Sequence, residues 1–173
     1  MRIRRAEAAD VDGMIASYES VAAEGRFIGG ELPIDDAAVR ARWLERMNDP
    51  TEALFVAEAD GAIVGMAGVR GTEIADLGMH VIEGWRGRGV GSGLLRAVID
   101  WARAAGAHKL ALQVWPHNAA AIRLYAGFGF EQEGYLRRHW RRKNGELWDA
   151  VIMGLPIPEN EAPAALEEPP GSR

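Results

Sequence analysis

The stretch best suited to chemistry is WRGRGVGSGLL, from Trp85 to Leu95, which places two arginines among closely spaced glycines before an apolar run. Backbone N–H groups at a helix N-terminus bind anions because they have no partner inside the helix. Glycines let a phosphate approach that backbone closely. The stretch predicts a pyrophosphate cradle, with a flexible turn carrying solvated arginines as the alternative. The residues of the predicted cradle are Arg86, Gly87, Arg88, Gly89, Val90, Gly91 and Ser92.

Two better-known phosphate-binding patterns do not fit this stretch. A nucleoside-triphosphate loop requires Lys and then Ser or Thr after its last glycine, whereas Gly93 is followed by Leu94 and Leu95. A dinucleotide fingerprint that starts at Gly87 or Gly89 would meet Ser92 or Leu94 where its third glycine belongs. The pattern therefore favours a different phosphate-bearing ligand.

The elements that must position this cradle follow from hydrophobic periodicity and turn residues. We predict a strand at Ile3, a helix capped by Asp10, and a second helix that starts after Asp35 or Asp36 and ends near Asp49. Asp60-Gly61 predicts a tight hairpin turn between strands at 54–59 and 63–69. Further strands are predicted at 77–82, 110–115, 135–142 and 147–155, with helices from near 90 to 106 and from 118 to 127.

This order predicts one α/β (α+β) domain on a mixed sheet over residues 1–155. Residues 156–173 are rich in Pro, Glu and Ala, which is typical of a disordered tail.

Composition excludes several classes of protein. A net charge of -5 argues against a general nucleic-acid binder, and the absence of cysteine excludes disulfides and thiolate metal sites. No stretch approaches the roughly 20 apolar residues of a membrane span, and the start lacks a signal-peptide pattern. The four histidines lie in separate elements, so no metal site is predicted. We expect a cytoplasmic protein with no membrane or nucleic-acid partner.

Two separated blocks resemble the GNAT superfamily of acetyl-CoA-dependent N-acetyltransferases. The first is Arg86-x-x-Gly89-x-Gly91, and the second is NAAAIRLYAGFGF, which contains Asn118 and Tyr125. The resemblance implies a central sheet of about seven strands flanked by about four helices, with two splayed central strands. It implies acetyl-CoA as co-substrate, no metal, and acetyl transfer by direct attack of an amine on the thioester.

The resemblance also assigns roles to residues. Met79, His80 and Val81 would line the acyl arm of the co-substrate, and an amide near Val81 would polarise the thioester carbonyl. Asn118 would reach the pantetheine. Tyr125 would protonate the departing thiolate, since a tyrosine hydroxyl has a pKa near 10; the alternative is that it only packs the short helix.

The proton acceptor for the amine is open. Some related enzymes carry glutamate at the position of Gln113, and an amide cannot act as a base. We predict Glu83 as the catalytic base. The other candidates are His80, and Glu31 or Glu73 acting through a water molecule.

The acceptor wall is predicted in EGRFIGGEL, residues 24–32, where Phe27 and Glu31 would contact the substrate. The stretch EGYLRRHWRRKNGELWDAVIMGLPI, residues 133–157, resembles the closing hairpin of bacterial acetyltransferases that commonly pair as homodimers through this end. Within it, the basic ribbon RRHWRRKNGE, residues 137–146, fits a solvated sheet edge or the recognition of an anionic acceptor better than nucleic-acid binding. The primary hypothesis is N-acetylation of a small amine that is amino-acid-like, a polyamine or an antibiotic. The alternatives are a protein N-terminal or lysine acetyltransferase and a non-catalytic CoA-binding regulatory module.

Overall fold

The computed structural model describes residues 1–158, which form a seven-stranded sheet in the order β1-β2-β3-β4-β5-β7-β6. The strands are β1 (Arg2–Arg5), β2 (Glu52–Ala59), β3 (Ala62–Arg70), β4 (Ile74–Val81), β5 (Lys109–Val114), β6 (Glu131–Arg141) and β7 (Leu147–Pro156). The helices are α1 (Val11–Ala23), α2 (Asp36–Asn48), α3 (Val90–Ala104) and α4 (Ala119–Gly127). The predicted mixed sheet and its flanking helices are confirmed.

The central strands β4 and β5 are the parallel pair, and α3 makes the crossover between them. Parallel neighbours require such a connection because a tight hairpin cannot join them. Their pairing covers only three positions, from Ile74↔Lys109 to Asp76↔Ala111. The two strands then separate over residues 77–81, so the predicted splay is confirmed.

Strand β2 carries apolar side chains on both faces of the sheet, as a central strand covered by helices must. Ala53, Phe55 and Ala57 belong to the core under α3, whereas Leu54 and Val56 pack against α1 and α2. This two-residue alternation divides the interior into two cores. The α3 core supports the predicted cradle, and the α1/α2 core supports the acceptor side.

Several predicted turns and caps are present. Asp60 and Gly61 have φ values of 50° and 77°, as the tight hairpin turn requires. The side chains of Asp35 and Asn118 accept hydrogen bonds from Ala38 N and Ala121 N, which caps α2 and α4.

Asp10 lies at the N-cap position of α1, as predicted, but its side chain makes no capping hydrogen bond to that helix. Its carboxylate accepts hydrogen bonds from Arg4 and from the Glu7 backbone instead. The Arg4 guanidinium lowers the pKa of Asp10, which matches an ion pair rather than a cap.

Three predicted strand limits were too short because polar positions obscured the alternation. β4 begins at Ile74, β6 begins at Glu131, and β7 ends at Pro156, one residue later than predicted, with the buried Ile157 directly after it. The predicted disorder of the tail lies outside the described residues, apart from these first positions.

Candidate active site

A cavity of about 1000 Å³ opens between the splayed strands. It begins at the N-terminus of α3, passes between β4 and β5, and reaches the faces of α1 and α2. The sequence-predicted residues that line it are Phe27, Met79, His80, Val81, Arg86, Gly87, Gly89, Gly91, Ser92, Asn118 and Tyr125. The fold thus brings together residues that are almost 100 positions apart along the chain.

The cradle is shaped by glycines in left-handed conformations. Gly87 and Gly89 have φ values of 72° and 81°, and no atom lies within 4 Å of where a Cβ would be placed on either. Val90 starts α3 and buries its side chain, so it offers only its backbone to a ligand. Free N–H groups at a helix N-terminus beside open space fit the pyrophosphate of acetyl-CoA.

The two arginines of the cradle are engaged elsewhere. Arg86 donates to the Glu24 carboxylate at 2.7 Å and to the Val81 carbonyl at 2.9 Å, and its guanidinium lies 4.6 Å from the centre of the Phe27 ring. Arg88 stacks on Trp85 and does not line the cavity. Arg86 therefore braces the loop after α1 against the end of β4, and nothing in this arrangement directs its charge to a pyrophosphate.

Tyr125 is buried on α4, packs 5.7 Å from the Phe130 ring, and faces the cavity. Burial raises the pKa of its hydroxyl above the usual value, so the hydroxyl stays protonated at neutral pH. A protonated hydroxyl in this position can donate a hydrogen bond to a sulfur leaving along the strand gap. Asn118 uses its side-chain oxygen as the α4 cap, which leaves its amide N–H groups available to a ligand.

The base candidates are not equally placed. Glu83 lies exposed on a short 3-10 turn and Glu73 lies exposed beside His108; neither carboxylate lines the cavity. The Glu31 carboxylate accepts the Lys143 backbone N–H, outside the cavity lining. Of the four candidates, His80 alone borders the cavity in residues 1–158. The roles of Glu83 as base and of Glu31 as substrate ligand stay predictions without geometric support.

His80 is buried on the α1 side of β4. Its Nε2 lies 3.0 Å from Ser17 Oγ, and its ring centre lies 5.6 Å from that of Tyr18. Burial, and secondarily the Arg86 guanidinium, lowers the pKa of His80 to about 4, so the imidazole is neutral at pH 7.

Sequence reasoning missed the far wall of the cavity. Tyr18 and Trp43 pack edge to face at 5.7 Å, and charged side chains of α2, its C-cap and β2–β4 line the same cavity. Those charged residues are Arg42, Glu45, Arg46, Asp49, Glu52, Arg70 and Asp76. In the sequence these charged residues look like ordinary solvated positions, because nothing there shows that their side chains border a cavity.

The loop after α1 is held by the β6–β7 hairpin. Arg142, itself buried, donates to the carbonyls of Ile28 and Gly29 at 3.3 and 3.2 Å and stacks on Trp148. Lys143 Nζ donates to the carbonyls of Glu31, Leu32 and Pro33. The predicted basic ribbon is therefore partly a clamp on the acceptor wall.

Comparison with known proteins decides the family. The model of the Acetyltransferase (GNAT) family matches residues 19–130, which include the cradle, the splayed strands and α4. The chain belongs to this acetyltransferase family. Acetyl-CoA is accordingly its co-substrate, and the glycine cradle and strand gap described above fit that molecule.

Relatives and solved structures agree with this assignment. The chain is 32% identical over 171 residues to the L-methionine sulfoximine/L-methionine sulfone acetyltransferase of Pseudomonas aeruginosa, covering 93% of this chain and 98% of that protein. It is 37% identical over 122 residues to the L-amino acid N-acetyltransferase AaaT of Escherichia coli, covering 64% and 73% of the two chains. The structure of yncA from Salmonella typhimurium with its cofactor acetyl-CoA is similar at a TM-score of 0.83 and 26% identity, covering 96% and 99% of the two chains.

Residues 1–158 contain neither a membrane-spanning helix nor a cluster of metal ligands. No helix there is long and apolar enough to cross a bilayer. No group of three or more His, Asp or Glu side chains there is placed to share a metal ion.

Proposed function

We propose that this GNAT acetyltransferase transfers the acetyl group of acetyl-CoA to the primary amine of a small, amino-acid-like molecule. The observation that carries the proposal is the continuity of the cavity, from the glycine cradle to a wall bearing both signs of charge. An amino acid is a zwitterion, so it needs an anion-binding group and a polar site for its amine. The named substrates of the Pseudomonas and Escherichia relatives are of this chemical class.

Arg42 is the group best placed to bind the acceptor's carboxylate. Arg46 and Arg70, which also line this wall, pair with Glu52 and Asp76, the latter at 3.1 Å. Within residues 1–158, Arg42 has no ion pair or hydrogen bond, and its charge acts on the neighbouring Tyr18. An unpaired guanidinium beside a cavity matches a planar carboxylate.

Thiol release from acetyl-CoA tests this proposal over a panel of amino acids, their amides, polyamines, aminoglycosides and peptides with free N-termini. We expect the highest kcat/KM for an amino acid with a free carboxylate, and a loss of at least about tenfold for its amide. Arg42→Gln should remove this difference while leaving the acetyl-CoA KM unchanged. A preference for peptides would instead support the hypothesis of a protein acetyltransferase. Binding of acetyl-CoA without transfer to any amine would support the hypothesis of a non-catalytic regulatory module.

We also propose a cytoplasmic homodimer that forms through the β6–β7 end. β6 is an edge strand, and it exposes Tyr135 and Trp140 by 48% and 43%. Exposed aromatic side chains on a sheet edge are typical of an interface. Light scattering of the purified protein should give a molar mass twice that of one chain. Trp140→Glu should reduce this mass to that of a single chain. A wild-type protein with the mass of one chain would contradict the dimer.

A further inference from the structure

We infer that His80 is the catalytic base and that Ser17 is the residue that positions it. This inference rests on the proposed function, since it assigns a proton acceptor to the same reaction. It stands on three observations: the hydrogen bonds of Ser17, the open nitrogen of His80, and the place of His80 at the strand gap.

The contacts of Ser17 assign the tautomer of His80. We assign the hydroxyl proton of Ser17 to the Met14 carbonyl, 2.9 Å from Oγ, because a carbonyl oxygen can only accept; Oγ then accepts from His80 Nε2. The imidazole proton therefore lies on Nε2, at 3.0 Å from Ser17 Oγ. Nδ1 is consequently the unprotonated nitrogen, and its lone pair can accept a proton.

Nδ1 faces the cavity. In residues 1–158, every fully buried side-chain nitrogen and oxygen has a hydrogen-bond partner. His80 makes no hydrogen bond other than the one to Ser17, so Nδ1 keeps access to open space. Because His80 is itself buried and borders the cavity, that open space is the cavity.

His80 also lies where acceptor and thioester must meet. It follows the last paired position of β4 and β5, Asp76↔Ala111, by four residues, at the open part of the strand gap. Leu77 packs in the α3 core, and His80 points to the opposite face toward Tyr18. A group on this face contacts the acceptor side of the cavity, not the cradle.

His80 accepts the proton that the acceptor nitrogen loses during acetyl transfer. The amine lone pair forms the bond to the acetyl carbon, and the carbonyl electron pair moves to oxygen. The nitrogen becomes positively charged, and Nδ1 of His80 takes its proton. The carbonyl re-forms as the carbon–sulfur bond breaks, and the sulfur receives a proton from Tyr125. Tyr125 then takes a proton back from water, and His80 returns the proton of the amine to water, so both side chains are restored. The products are the N-acetylated acceptor and CoA.

The environment of His80 keeps this lone pair available. The groups that face it are Ser17 and Tyr18 from α1 and the Arg86 guanidinium from the turn after β4, with Met66 beside it on β3. None of these groups is a carboxylate that would hold a proton on the imidazole, and the carboxylate of Glu24 is bound by Arg86.

His80→Gln tests the inference, because the Gln amide can keep the contact with Ser17 and has no base at the position of Nδ1. General bases contribute about 10² to 10⁴ in rate, so we expect kcat to fall at least about 100-fold with an unchanged acetyl-CoA KM. The defect should shrink for acceptors of lower basicity, whose nitrogen loses its proton to water more readily. If His80 had only a structural role, its substitution would lower kcat by the same factor for every acceptor.

Matched variants separate the possible causes. His108→Gln, at an exposed histidine 3.6 Å from Glu73, should keep wild-type kcat. Ser17→Ala should lower kcat several-fold with little change in either KM. If His80→Gln does not fold, His80→Asn serves as the second variant. More than about a third of wild-type kcat in a folded His80 variant overturns the inference, whereas a wild-type enzyme inactive on every amine overturns the proposed function and the inference with it.

Discussion

At the scale of single residues, environment decides which groups can handle protons. Tyr125 and His80 are both buried, and burial disfavours the charged form of each. One therefore stays a protonated donor and the other an unprotonated acceptor at neutral pH. They lie on different elements, α4 and β4, that face the same strand gap.

Tyr125→Phe removes the hydroxyl and keeps the packing on Phe130. We expect kcat to fall about 10- to 100-fold because the departing sulfur loses its hydrogen-bond donor, with acetyl-CoA affinity close to wild type. Steady-state kinetics together with a direct acetyl-CoA binding measurement check this. Unchanged kcat would leave Tyr125 with a packing role only.

His80 also makes stability depend on pH. Its pKa is near 4 in the folded chain and 6.5 when exposed, so the unfolded chain binds the proton more tightly. Stability is then highest above pH 6.5 and is lost as the pH falls toward 4. We expect His80→Gln to remove about 2 kcal/mol of the decrease in unfolding free energy between about pH 7.5 and pH 5.

Urea denaturation of the two proteins at both pH values measures that difference. His108→Gln is the control. Because His108 is exposed, its substitution should hardly change the decrease in unfolding free energy between the two pH values. An equal decrease in wild type and His80→Gln would contradict the assigned cause of the shifted pKa.

At the scale of elements, we predict that the N-terminus of α3 holds the pyrophosphate. Ser92 is the third residue of α3, where a glutamate is favourable for the helix itself. Ser92→Glu should therefore keep stability but repel the pyrophosphate and raise the acetyl-CoA KM at least about tenfold above Ser92→Gln, a neutral variant of the same size. Equal KM values for the two variants would place the pyrophosphate elsewhere.

The hairpin clamp should act on the acceptor and not on acetyl-CoA. Arg142→Lys removes Nη1, which donates to both the Ile28 and the Gly29 carbonyls, and the stacking of the guanidinium on Trp148. We expect a lower Tm and an acceptor KM several-fold higher, with the acetyl-CoA KM unchanged, as determined by two-substrate kinetics. A rise in the acetyl-CoA KM alone would contradict the role of the clamp.

Elements were predictable where the pattern is local. The caps at Asp35 and Asn118 and the Asp60-Gly61 turn depend on neighbours in sequence, and the structure has them. The Arg86–Glu24 pair joins residues 62 positions apart, and the Arg142 clamp joins residues 114 apart. Charged residues with such distant partners look like solvated positions in the sequence, so these braces could not be foreseen.

At the scale of the whole molecule, the two faces of one sheet carry two separate hydrophobic cores, and each core supports a different part of the cavity. The α3 core fixes the cradle, and the α1/α2 core fixes the acceptor wall. The gap between β4 and β5 connects the two sides, so donor and acceptor can meet without covalent attachment to the protein. The far wall of the cavity is formed by α1, α2 and the strands β2–β4, and only the folded chain brings these elements together.

Direct transfer is the central claim, and intact-mass measurement tests it most directly. With acetyl-CoA alone, we expect no thiol release and no gain of an acetyl group by the protein. Adding an amino acid should release one CoA for each N-acetyl amino acid formed. Thiol release without an acceptor, accompanied by an acetylated protein that passes the group on to the amine, would contradict the account.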